Sequence, residues 1–200
     1  MRKKSHLSVA KFLAEHRELG DIANYRKSFY LGSILPDCTP SFLTRRHTID
    51  ETMDILESEI GKITERYNPE KGMNRYNCRH LGIVTHYIAD YFTFPHNDIF
   101  EGNIKQHCSY EKELKFAIRK YVRCKEASEN VREQNGTFES VKEIVDFVHA
   151  KHKEYVETVQ HKVSSDCRYI VELCFSVVDA IFQLLELKAG ERQLKALPCN

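Results

Sequence analysis

The stretch HYIADYFTFPHNDIFEGNIKQHCSYE, from His86 to Glu111, carries the residues best suited to chemistry. His86 and Asp90 stand four residues apart, as do His107 and Glu111. On helices each pair shares one face. His96 lies between the pairs, directly after Pro95. Neutral imidazole with carboxylate is the donor set that zinc takes where thiolates are absent. A single His-x-x-x-Asp pair is ordinarily a solvated or helix-stabilising contact. The joint pattern argues for more. His86 and Asp90 sit in an otherwise apolar segment, HLGIVTHYIADYF. Burying an unpaired polar group there costs roughly 2–7 kcal/mol, and a charge more. A bound metal removes that cost.

Three further candidates lie upstream. His6 falls in SHLSVA, Asp37 closes YLGSILPD, and His47 precedes the helix start TIDE. Together the candidates are five histidines and three carboxylates. One zinc takes about four ligands, and catalytic sites leave a position to water. Eight protein donors with Asp90 bridging therefore suit two to three zinc ions. Three divalent ions against three carboxylates leave a site about three units positive, which favours an anionic substrate such as a phosphodiester.

The elements that must position these residues read as helices nearly throughout. Residues 6–19 form an amphipathic helix stopped by Gly20, and residues 21–33 a second, ended before Pro36. Thr48-Ile49-Asp50-Glu51 has the form of a capping box opening a helix to about Tyr67. Asn68-Pro69-Glu70-Lys71-Gly72 is a turn. A helix follows from about Arg75 to Phe92, then loop over 96–106, then a helix from about His107 to Lys125. Asn135-Gly136 is a turn. Two long helices, about 138–161 and 164–188, close the chain. The second carries a broad apolar face that includes Ile170, Leu173, Val177, Ile181 and Leu184. The expected fold is all-α, a single compact bundle of about seven helices forming one domain over residues 1–200.

Bulk properties narrow the classes. Lysine plus arginine number 30 and aspartate plus glutamate 29, a net charge of +1. That balance gives no global reason to expect nucleic acid or an anionic membrane. No apolar run is long enough to span a bilayer. The opening MRKKSHLSVAKFLAEHREL has a basic head but a broken apolar part, so it is not a secretory signal. The seven cysteines form no CxxC pair. Free buried thiols in a reducing, cytoplasmic setting are the expectation.

At these residues the chain resembles the zinc-dependent phospholipase C family, whose fold is shared by the single-strand-specific zinc nucleases. HYIADYFTFPH matches the family's helix histidine, the aspartate four later and the proline-flanked histidine. HCSYE matches the His-x-x-x-Glu pair that follows. The motifs cover roughly residues 5–115, and residues 116–200 match no further motif. By resemblance His47 and His86 with Asp37 and Asp90 would hold one zinc. His6 with Asp90 would hold a second, and His96, His107 and Glu111 a third. Asp37 would orient or deprotonate the attacking water, and the implied reaction releases diacylglycerol and a phosphorylated headgroup. In the family the N-terminal amine completes one metal site, and Met1 stands five residues before His6. Where choline-specific members place a tyrosine after the first aspartate, this chain has Cys38, so choline selectivity should be weak. Phe42 is an aromatic candidate for that pocket. Alternatives are a nuclease or nucleotidase on the same fold, and a non-catalytic zinc protein. The expected partner is a phospholipid or other small phosphodiester. No long nucleic acid, at most transient membrane-surface contact, and a monomer are expected.

The other polar residues have plainer readings. His80 reads as surface or core hydrogen bonding, and His16 as part of a charged face. His149 and His152 share a lysine-rich, solvated face, and His161 is a helix-end residue. In the run Tyr91-Phe92-Thr93-Phe94 at least two residues should pack in the core. Arg2, Lys3 and Lys4 are either headgroup contacts or a solvated terminus.

Overall fold

The computed structural model describes residues 1–16, 20–39, 45–131, 137–158 and 162–196. Helical periodicity becomes eight α-helices among them: α1 (Lys3–His16), α2 (Gly20–Gly32), α3 (Ile49–Arg66), α4 (Arg75–Tyr91), α5 (Ile104–Tyr121), α6 (Lys125–Asn130), α7 (Val141–Thr158) and α8 (Val163–Ala196). The all-α class read from the sequence is the fold observed.

Helix α4 is the centre of the bundle. It starts where Asn74 accepts hydrogen bonds from the Tyr76 and Asn77 amides at 2.8 and 3.1 Å, which satisfies donors a helix start leaves orphaned. From Asn77 to Tyr91 it is buried on almost every side, packed against α2, α3, α8 and α1. A helix buried on nearly all its faces is an interior one. Its contact with α2 is close because two glycines meet there. A Cβ on Gly32 would stand 2.0 Å from the Arg79 carbonyl oxygen, and one on Gly82 would stand 2.2 Å from that of Phe29. Helix α8 covers the opposite side with Ile170, Val177, Ile181 and Leu184, all buried.

Several boundaries differ from the sequence reading for local reasons. The capping box at Thr48 does not form. The Thr48 side chain makes no cap hydrogen bond, and Glu51 instead accepts from the Arg46 amide at 2.7 Å. A capping box does form at Asn103 and Gln106, so α5 begins before His107. Helix α6 was not expected, and α8 runs on past 188. The turn before α4 is as read: Gly72 has φ 63°, a conformation glycine adopts without strain. The turn at Asn135-Gly136, the residue Phe42 and His161 lie outside the described residues. So does the side chain of His16.

Candidate metal centre

Six segments bring the eight candidate ligands together. α1 supplies His6 and α4 supplies His86 and Asp90. α5 supplies His107 and Glu111. Asp37 lies on the 3-10 turn Pro36–Cys38, and His96 ends the 3-10 turn Phe94–His96. His47 precedes α3. The pattern that placed each pair on one helical face therefore holds, and tertiary packing adds the rest.

Asp90, fully buried, sits at the centre, and its two oxygens face different groups. Oδ2 lies 2.9 Å from His47 Nδ1 and 3.1 Å from His86 Nε2. Oδ1 lies 2.6 Å from the Met1 amino nitrogen and 3.4 Å from His6 Nε2. Asp37 Oδ1 is 3.7 Å from His86 Nε2 and 3.9 Å from His47 Nδ1. A second group adjoins. Glu111 Oε1 lies 3.4 Å from His96 Nε2 and 3.3 Å from His107 Nε2, with the Met1 nitrogen 3.1 Å away.

The distances divide these residues into two sets that could each hold a metal ion: His6, Asp37, His86 and Asp90, and His96, His107 and Glu111. The second set is the expected one. In the first, His6 stacks on His86 with ring centroids 3.9 Å apart. His6 thus stands beside Asp37 and His86 as well as Asp90, closer to them than the expected division implies.

Backbone carbonyls orient two of the rings. The Ser33 carbonyl oxygen lies 3.0 Å from His86 Nδ1 and the His47 carbonyl oxygen 3.2 Å from His96 Nδ1. A carbonyl only accepts, so each Nδ1 carries the proton and each Nε2 offers its lone pair to the cleft. This is the outer-shell pattern that fixes metal-binding histidines. The glycine contact between α2 and α4 matters here, because it brings Ser33 against His86.

The donor set fits a metal. His6 is buried with neither ring nitrogen hydrogen-bonded, and His47 Nδ1 faces His86 Nε2 at 3.0 Å. Burial, then the nearby His86, pushes the His6 pKa down to about 3. Burial also lowers that of His96, despite Asp90 and Glu111. Both imidazoles are therefore neutral, the state that ligates. Burial opposes ionisation of Asp90, but its surroundings, the Met1 amine foremost, outweigh it and hold the carboxyl well below its ordinary range. Glu111 is lowered against its burial by its neighbours, first the hydrogen bond from His107 and then the close approach of His96 and the Met1 amine. Asp37 goes the other way: its burial raises it, only partly opposed by His86.

Asp37, His47, His96, His107 and Glu111 open into a cleft of about 820 Å³. Arg2, Lys3, Lys4, Arg45, Arg46 and Lys115 line it, and among the described residues its carboxylates are Asp37 and Glu111. Tyr91, Phe92 and Thr93 are core residues, and Phe94 packs on Phe100 and Tyr110. None of these four lines the cleft.

Two supports escaped sequence reading. Asn97 donates to the Tyr91 and Thr93 carbonyls at 3.1 and 2.9 Å and lies 2.6 Å from His152 Nε2. His152 is thus half-buried and pins the loop after His96, which corrects its placement on a solvated face; His149 is exposed as expected. Asp166, fully buried on α8, accepts from the Phe94 amide and from the Tyr110 and Tyr155 hydroxyls, each at 2.8 Å. No spacing rule marks His152 or Asp166, because Asn97 is far from the one and Phe94 and Tyr110 are far from the other in sequence. Elsewhere His80 is buried and paired with Glu59. Among the described cysteines Cys38 and Cys108 are exposed rather than buried.

Comparison with protein-family models matches residues 5–162 to a family described as zinc dependent phospholipase C. The match extends past the motif-bearing part into α7. No curated protein and no solved structure matches the chain.

Proposed function

Because the chain belongs to the zinc-dependent phospholipase C family, we propose that it hydrolyses a phospholipid phosphodiester to diacylglycerol and a phosphorylated headgroup. The observation that carries this reading is the division of Asp90, one oxygen toward His47 and His86 and the other toward His6. A carboxylate so placed suits a bridge between two ions. His47, His86, Asp37 and Asp90 would hold one zinc, His6 and Asp90 a second, and His96, His107 and Glu111 a third. Zinc when bound supplies Lewis acidity and lowers the pKa of water from about 15.7 to about 7.

The chain's own residues do the rest. Asp37, at the cleft and raised by burial, is suited to accept the proton of the attacking water. The Arg46 side chain, on the cleft wall, is placed to hold a phosphoryl oxygen. Ser33 and the His47 carbonyl keep the rings aligned throughout. The site belongs to a cytoplasmic enzyme in this reading.

Zinc-replete protein should hydrolyse p-nitrophenylphosphorylcholine, with little preference for choline. Asp37→Asn should keep most of its metal but lose about 10²–10⁴-fold in rate, the usual worth of general acid–base assistance. A fully active Asp37→Asn would remove Asp37 from the mechanism. If the replete protein cleaves no lipid, nucleotide or chromogenic diester, a non-catalytic zinc protein is the better reading.

A further inference from the structure

The chain is nearly neutral, yet one wall of the cleft is cationic. It holds six lysines and arginines. Arg45 is neutralised by Asp54, 2.7 Å away. Lys4, Arg46 and Lys115 have no carboxylate partner among the described residues. The outward face of α5 continues the same surface beyond the cleft. Lys112, Lys115, Arg119 and Lys120 recur there at helical spacing, and Lys112, Arg119 and Lys120 are exposed. Glu113 is the one exposed acid on that helix. The crowding is felt at Lys115. Its ammonium is pushed down by desolvation, then by Arg2, Lys4, Lys112 and Arg119.

Two apolar side chains stand in this cationic field. Ile104, at the cleft edge, is 83% exposed, and Phe116, one turn beyond Lys112, is 56% exposed. The Lys115 ammonium lies 4.2 Å from the Phe116 ring centroid. A surface that served only solubility would have no use for an exposed isoleucine and phenylalanine. Apolar tips among lysines and arginines are the composition of a surface that lies in a lipid interface.

We propose that the cleft mouth and the outer face of α5 form one docking surface for an anionic phospholipid bilayer. The inference rests on the lipid-hydrolase reading and adds to it where the enzyme meets its substrate. Charge complementarity selects the occupant: unpaired cations attract an anionic leaflet, each worth about fivefold in affinity near the surface. Ile104 and Phe116 enter the boundary between headgroups and chains. The cleft then faces the leaflet, and a lipid reaches the metal ligands without leaving the bilayer.

The test is co-sedimentation of zinc-replete protein with vesicles of phosphatidylcholine alone and of phosphatidylcholine with phosphatidylserine. Binding is expected only to the mixed vesicles, and it should weaken as salt is raised, because exposed charges are screened beyond about 8 Å at physiological ionic strength. The triple change Lys112→Glu, Arg119→Glu, Lys120→Glu should weaken it by at least about a hundredfold. Phe116→Ser alone should weaken it about tenfold. Both variants should hydrolyse the soluble chromogenic diester like the parent, which also shows that they are folded. Vesicle binding without any hydrolysis would uphold the docking surface while ending the hydrolase reading. Hydrolysis of the soluble diester without binding to mixed vesicles would overturn the docking surface alone. Equal binding to both vesicle types, undiminished binding by the triple variant, or a preference for a single-stranded oligonucleotide over vesicles would also overturn it.

Discussion

A buried carboxylate is costly unless cations join it; at Asp90 the Met1 amine stands 2.6 Å from one oxygen, and the other oxygen faces His47 and His86. Asp90→Asn keeps the shape but removes the charge and one acceptor oxygen. If Asp90 bridges, elemental analysis of this variant should show the loss of more than one zinc per chain. Loss of none would mean that the carboxylate is not a ligand. His152 makes a different prediction. Burial lowers its pKa below the ordinary 6.5, so the native state holds it neutral while the unfolded chain protonates it below 6.5. The unfolded state then binds more protons, and stability falls as pH falls. This contribution is fully present above 6.5 and lost on acidification below it. Thermal melts from about pH 7.5 to about pH 5.5 should therefore drop less steeply for His152→Gln than for the parent. An equal drop would show that His152 titrates as it does in the unfolded chain.

Among the elements, the α2–α4 crossing decides whether His86 is oriented. Alanine normally favours a helix interior over glycine by about 1 kcal/mol. At Gly82 that gain is overrun, because the new Cβ would stand 2.2 Å from the Phe29 carbonyl oxygen. The two helices must separate, drawing the Ser33 carbonyl away from His86. Gly82→Ala should lower the melting temperature and weaken zinc binding together. At Gly61, on α3, an added Cβ would meet nothing within 4 Å, so Gly61→Ala should raise stability by up to about 1 kcal/mol. Calorimetry on the two variants separates helix propensity from close packing. Opposite signs are expected, and a stabilising Gly82→Ala would show that the crossing can relax.

At the scale of the whole molecule, the candidate ligands, drawn from residues 6 to 111, would through a bound metal tie helices and turns from distant parts of the chain to one centre. A metal that binds only the native state stabilises it by mass action, about 4 kcal/mol at a thousandfold excess over its dissociation constant. For a chain of this size that corresponds to a shift on the order of 10 °C. A chelator should lower the melting temperature by about that much, and zinc should restore it. An unchanged melt would place the metal outside the folding equilibrium. Among the described residues no helix is long and apolar enough to cross a membrane, so contact with lipid falls to surface groups such as those on α5.

Much of the centre was legible in the sequence because its logic is local. His86 with Asp90 and His107 with Glu111 share helical faces by spacing alone, and an Asp in an apolar segment demands a partner. The helical class followed from periodicity in the same way. Only the tertiary structure decided what depends on distance through space. The Thr48 capping box gave way to a contact between Glu51 and the Arg46 amide, since a nearby donor competed for the same carboxylate. Ser33, His152 and Asp166 gained their roles from partners that no periodicity links to them. The cations are the clearest case. A net charge of +1 records only their sum, whereas their attraction for an anionic surface depends on which side of the fold they share, and packing alone sets that.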